Sequence, residues 1–140
     1  VHALEMLDRR VVLAAPTGRA AKRLAEVSGK QASTCHRLLS FSSETGGFEF
    51  DENNPFREDH IIIDEFSMVD LRLGQSFMAA VKKDGAVTIV GDVDQLPSVG
   101  SGQVLRDLIE SEAIPVIRLK TVHRQDGDSG IVVAASRINS

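Results

Sequence analysis

The sequence predicts an α/β domain with a mostly parallel sheet and helices on both of its faces. Short apolar runs alternate with stretches of helical periodicity along the 140 residues. The runs are continuous rather than period-two, as expected of strands buried on both sides. The 42% apolar content lacks Tyr and Trp, so the core must be built mainly from Val, Ile, Leu and Ala, with Phe as the only aromatic. That length and apolar content suit one globular domain with a modest core.

In chain order, Val1 to Leu7 reads as the end of an amphipathic helix, so the architecture begins in its middle. Val11 to Ala15 is a short apolar strand closed by Pro16. Thr17 is placed to cap a helix running to about Val27, with Ala20, Leu24 and Val27 on one face, Arg19, Lys22 and Arg23 on another, and Gly29 ending it. A second short helix is expected over Thr34 to Leu39. Residues 41–57 lack helical periodicity, and Gly46-Gly47 before Phe48-Glu49-Phe50 fits a hairpin. His60 to Asp64 is the strongest strand signal, followed by a helix from Leu71 to Val81 and a strand from Ala86 to Val90. Val104 to Ile109 reads as helix, Val116 to Leu119 as strand, and Ile131 to Ile138 as a final helix.

Composition narrows the function classes. Cys35 is the single cysteine and cannot form an internal disulfide; no signal-peptide pattern or membrane-length apolar run is present, and the cytoplasm is the expected compartment. His2, His36, His60, His123 and Cys35 show no zinc-ligand spacing, and no nucleophile triad is evident. A net charge of −4 opposes coating of nucleic acid by bulk positive charge, but the distribution is uneven. From Ala15 to Ser40 five cations face only Glu26, whereas from Glu44 to Asp70 nine acids face only Arg57, which implies two different surfaces.

In a parallel sheet ligands sit beyond the carboxyl ends of the strands, so the residues after each apolar run are the functional candidates. Asp64 and Glu65 follow one run: one carboxylate can hold Mg²⁺ through its water shell, and its neighbour can orient or deprotonate a water. Equally, two acids can simply cap a solvated strand end. The loop from Gly91 to Gly102 is long, with glycines and Pro97 fixing its path; Gln95 in it can contact a γ-phosphate and an attacking water, or face solvent in a plain connector. Arg124 follows the Val116 to Leu119 run and can neutralise charge on a transferring phosphate, with a surface salt bridge as the competing reading. Pro16-Thr17-Gly18, the basic helix face and Ser33 to Arg37 offer hydroxyls, amides and cations suited to phosphodiester contacts, although a solvated basic face is as good an account of the patch alone.

Taken together, three segments, Ala15-Pro16-Thr17-Gly18-Arg19-Ala20-Ala21, Thr34-Cys35-His36-Arg37-Leu38-Leu39 and Asp64-Glu65-Phe66-Ser67-Met68, resemble in order and spacing motifs Ia, Ib and II of RecD-like helicases. Gly91 through Leu105 resembles motif III, and Val122-His123-Arg124-Gln125 resembles motif IV, where the family usually has Phe before Arg. The resemblance spans nearly the whole chain and is strongest to the bacterial RecD branch of superfamily 1, including the exonuclease V alpha subunit.

That resemblance implies a RecA-like P-loop NTPase fold, truncated before its first strand and phosphate loop, with residues 1–140 forming part of one motor domain and a hairpin insertion around 41–57. It implies an ATP-dependent DNA helicase moving 5′ to 3′, in DNA repair or recombination, with ATP and Mg²⁺ as cofactors. Asp64 and Glu65 would serve Mg²⁺ and hydrolysis, with Gln95 and Arg124 on the phosphates. Pro16, Thr17, Thr34, His36, Pro97 and Val99 would face single-stranded DNA. The implied partners are single-stranded DNA, single/double-strand junctions, and the phosphate loop and second motor domain of a parent chain, with no membrane. The sequence departs from the family in lacking a G-x-x-x-x-G-K-S/T loop, so this polypeptide alone is expected to hydrolyse ATP negligibly. A non-enzymatic strand-binding or protein-docking relative, and a P-loop ATPase that does not act on DNA, are the competing functions; Thr34 to Leu39 argues against the latter.

Overall fold

The computed structural model describes residues 1–44 and 46–119. Four strands, β1 (Val11–Ala15), β2 (Ala32–Thr34), β5 (His60–Ile63) and β6 (Ala86–Ile89), form an all-parallel sheet in the order β2-β1-β5-β6. A separate antiparallel hairpin pairs β3 (Phe41–Ser42) with β4 (Gly47–Phe48), as the diglycine predicts. The helices are α1 (His2–Met6), α2 (Gly18–Ser28), α3 (Cys35–Leu38), α4 (Leu71–Ala79) and α5 (Val104–Glu110). No helix among the described residues is long and apolar enough to cross a membrane.

Side chains alternate across a strand, so this register divides the sheet into two apolar faces. On one, Ala14, Ile61 and Ile63 join Phe56, Phe66, Leu73, Phe77 and Leu105 in the main core, which α3, α4 and α5 close. On the other, Leu13 and Ala15 are buried where α2 packs on β1 and β2. Over β6 this second face is open: Ala86 and Thr88 are exposed, and His60 Nε2 lies 2.7 Å from Thr88 Oγ1 across the strands. Helices thus cover both faces, the second over only part of its width.

Local chemistry sets the boundaries. Thr17 caps α2, its hydroxyl accepting from Ala20 N at 3.2 Å, and Gly29 ends the helix in the left-handed region at φ 66°. The face of α2 turned to the sheet is centred on Ala21, Leu24, Ala25 and Ser28, which corrects the expected one: Val27 is exposed. It lies at the margin of the stripe that faces the sheet. Asp59 joins the entry to β5 to its surroundings: it accepts from Arg10 N at 3.0 Å and pairs with Arg10 Nε at 3.2 Å and with Lys82. Those hydrogen bonds, first from Arg10 and then from Lys82, hold its carboxyl well below the usual carboxylate range.

The expected strand at Val116 to Leu119 does not form. Residues 112–119 contain no strand, and Ile117 and Leu119 are almost fully exposed. A strand needs a partner ladder as well as apolar side chains; here Pro115 removes one donor, and Ile114 to Ile117 instead line a cleft against Leu105, Leu108 and Ile109 of α5. Arg124 and the expected helix at Ile131 to Ile138 lie outside the described residues.

Cys35 sits in the main core at 1% exposure, and burial pushes its thiol up to about 12. A neutral buried thiol is a poor nucleophile. A water-soluble disulfide reagent at neutral pH is therefore expected to leave the folded chain unlabelled and to titrate one thiol after denaturation; rapid labelling of the folded chain would contradict this packing.

Candidate functional site

Because all four sheet strands are parallel, the segments after them leave from one edge. The register pairs Ala15 with Thr34, Ala14 with Ile63 and Ile63 with Ile89, so Pro16, Thr34, Asp64 and the loop after β6 emerge side by side. The sequence-predicted candidates within the described residues are thereby brought to a single rim: Asp64 and Glu65 just beyond the central strand β5, Pro16, Thr17, Thr34 and His36 to one side, Gln95, Pro97 and Val99 to the other.

Asp64 is tied into the sheet by Asp64 N donating to Ala14 O at 2.9 Å, and its Oδ1 accepts from Glu65 N at 2.9 Å. No hydrogen bond among the described residues engages its second oxygen. A lone carboxylate with one free oxygen matches what Mg²⁺ asks of a protein, since that ion keeps most of its waters and takes its other ligands from phosphates. No group of three or more potential metal ligands occurs among the described residues. Glu65 adopts a left-handed backbone, φ 54° and ψ 39°. For a residue with a side chain that conformation is costly, on the order of 1–3 kcal/mol, and such strain persists where neighbours over-determine it. Here the following turn does so: Phe66 N donates to Val90 O at 3.0 Å, Met68 N to Glu65 O at 3.1 Å, and the Phe66 ring is fully buried.

The loop after β6 presses directly on this turn. A β-carbon at Gly91 would come within 3.2 Å of the backbone nitrogens of Phe66 and Ser67 and 2.8 Å of Leu105 Cδ2, so only glycine lets β6 leave so close to the acids. Further along, Leu71 N donates to Ser101 O at 2.9 Å, and Gly100 lies on the side chain of Asp70, which caps α4 by accepting from Leu73 N at 2.8 Å. Gln95, Pro97 and Val99 project from this anchored loop and are exposed. Ser67 Oγ is buried without a hydrogen-bond partner among the described residues, beside a small cavity that Val93, Pro97 and Gln103 help to line.

Sequence reasoning missed this lock between Asp70 and Gly100, although Asp70 ahead of Leu71 carries a helix-cap signal that could have located one half of it. A β-carbon on residue 100 would collide with Asp70 Oδ2 and lie 2.7 Å from its Cβ. Gly100→Ala is accordingly expected to cost about 1–3 kcal/mol, as overpacking does. Combining it with Asp70→Ser should recover part of that loss, because the two sites share one contact. Denaturant titration of the single and double variants measures this; strictly additive losses would show that the loop is not seated on Asp70.

Thr17 and Thr34 turn out to have a structural task first. Thr34 Oγ1 accepts from Arg37 N at 3.2 Å, as Thr17 Oγ1 does from Ala20 N. Each hydroxyl still has its proton to donate. His36 and Arg37 are exposed, as are Arg19, Lys22 and Arg23 on α2, although Lys22 lies 3.9 Å from Glu26 and Lys30 pairs with Glu5 at 2.8 Å, so Arg19, Arg23 and Arg37 carry the open part of the predicted basic surface.

The fold is a parallel α/β domain with polar loops gathered on one rim of its sheet. The family model for the AAA domain matches residues 1–101, and the chain belongs to that family. More particularly, the chain is similar to RecD-type helicases. It is 44% identical over 131 residues to the ATP-dependent RecD2 DNA helicase of Deinococcus radiodurans, covering 94% of this chain and 18% of that protein. It is 38% identical to the RecBCD enzyme subunit RecD of Mycolicibacterium smegmatis, covering 91% of this chain and 26% of that one. A Bacteroides Pif1 structure in complex with ADP-AlF4 aligns at 23% identity and a TM-score of 0.43, over 79% of this chain and 28% of that chain. The chain thus spans about a fifth to a quarter of the length of these curated relatives.

Proposed function

We propose that the chain contributes part of the first motor domain of an ATP-dependent DNA helicase, which couples ATP hydrolysis to 5′-to-3′ movement along single-stranded DNA and to duplex unwinding in DNA repair or recombination. The observation that carries this reading is the single rim: the acidic pair lies between two groups of strand-facing candidates, and the Gly91 to Gly102 loop joins one group to the acidic turn through Gly91 and to the start of α4 through Gly100. The similarity to a protein named as an ATP-dependent DNA helicase supports it.

In this reading Asp64 would hold the magnesium of a bound nucleotide, which when bound would supply positive charge to offset that of the phosphates. Glu65 orients and deprotonates the attacking water. Gln95 contacts the γ-phosphate and reports its loss through the anchored loop to Pro97 and Val99 on the DNA. Arg124 neutralises charge on the transferring phosphate. Pro16, Thr17, Thr34 and His36 contact the strand on the other side of the acids. The phosphate cradle comes from a loop of the G-x-x-x-x-G-K-S/T kind, which the 140 residues do not contain.

The test is ATP hydrolysis by the longer protein proposed to contain this chain, with and without single-stranded DNA. Stimulation by the strand is expected, with negligible turnover by the 140 residues alone. Strand binding without hydrolysis by the longer protein would replace this reading with that of a non-enzymatic strand-binding module.

A further inference from the structure

The hairpin carries an aromatic surface that the helicase motifs leave unexplained. Phe41 and Phe48 are directly opposed in the β3–β4 register, with ring centroids 5.4 Å apart and planes at 65°. The His36 ring stands 6.2 Å from Phe41 at 80° and 5.9 Å from Phe48 at 52°. Phe48 is partly buried against the main core and anchors the group, whereas Phe41 is left 49% exposed. The hairpin is fixed beneath it: Ser40 takes a left-handed turn at φ 57° and its hydroxyl donates to Glu49 Oε2 at 2.8 Å.

The surroundings of Phe41 differ in charge on its two sides. On one, an open cleft of about 430 Å³ is lined by Thr34, His36, Arg37, Ser40 and Phe41. On the other lie Ser43, Glu44 and Glu49. An anionic backbone is drawn to the Arg37 side and repelled from the acidic side, while the exposed ring offers a flat apolar surface between them. A polymer of alternating phosphates and flat bases matches that pattern, and stacking on an aromatic ring suits every base.

We propose that Phe41 is a base-stacking platform for single-stranded DNA, receiving one nucleobase while the adjoining phosphate lies in the Arg37 cleft. The proposal rests on the strand-binding part of the function proposed above, and adds Phe41 and a stacking contact that none of the motifs supplies.

The experiment uses the 140-residue chain, whose lack of Trp makes a Phe41→Trp variant its only indole. Fluorescence anisotropy follows binding of a labelled oligothymidylate and of an abasic oligomer of equal length, with circular dichroism confirming the fold of each variant. Phe41→Ala is expected to weaken oligothymidylate binding about fivefold to a hundredfold, the range that one lost stacking contact spans, and to leave abasic binding unchanged. Phe41→Trp should retain affinity, with indole emission quenched by oligothymidylate and not by the abasic strand. Equal affinity of wild type and Phe41→Ala for oligothymidylate would overturn the proposal, leave the wider strand-binding reading intact, and point to the hairpin as a protein-docking surface. Failure of the folded wild type to bind either strand would overturn both together.

Discussion

Replacing Glu65 by Gln in the longer protein is expected to lower strand-stimulated ATP turnover by about a hundredfold to ten-thousandfold, the range associated with loss of a general base. The amide matches the carboxylate in size and leaves the backbone untouched, so the left-handed conformation at φ 54° and the hydrogen bond from residue 65 N to Asp64 Oδ1 should persist. What disappears is the ability to accept a proton from water. Single-stranded DNA affinity and the denaturation midpoint should therefore stay at wild-type values. Steady-state hydrolysis and strand binding, measured on the same preparation, check this. Turnover within a few-fold of wild type would remove Glu65 from the chemistry and leave the acid as a strand-end cap.

Phe77→Ala is expected to act through stability alone. Phe77 is 1% exposed in the main core, its ring 5.4 Å from that of Phe56, and Phe56 N donates to Ala80 O at 2.8 Å, so the ring holds the approach to β5 against α4. Truncating a buried Phe to Ala typically costs about 3–5 kcal/mol. That is a large share of the roughly 5–15 kcal/mol that stabilises an ordinary domain. Urea titration should show a lower midpoint at an unchanged slope. A loss below about 1 kcal/mol would mean that the core collapses around the gap. Set beside Glu65→Gln, this variant separates loss of fold from loss of chemistry.

The strands that position the site were legible because strands with apolar side chains on both faces announce themselves as continuous apolar runs, as at Val11 to Ala15 and Ile61 to Ile63. Parallel connection then placed Asp64, Glu65 and Gln95 on one rim without any need for coordinates. Elements that depend on a neighbour were not legible. Ala32-Ser33-Thr34 has little strand character of its own and becomes β2 only by pairing with β1. Val116 to Leu119 has the composition of a strand and, among the described residues, no ladder to join. Gly100 was visible as a glycine, but the reason for it, the Asp70 side chain beneath, is a tertiary contact between residues 30 positions apart in the sequence. The same holds for Phe41: Gly46-Gly47 announces a hairpin, yet only the folded chain sets its ring beside His36 and Arg37.

The most direct test of a strand-translocating motor is duplex unwinding by the longer protein, with ATP and Mg²⁺, on a duplex carrying a single-stranded tail at either its 5′ or its 3′ end. ATP-dependent release of the displaced strand from the 5′-tailed duplex, and not from the 3′-tailed one, is the predicted result. Absence of unwinding on both substrates, by a protein that binds the tail and hydrolyses ATP, would contradict it.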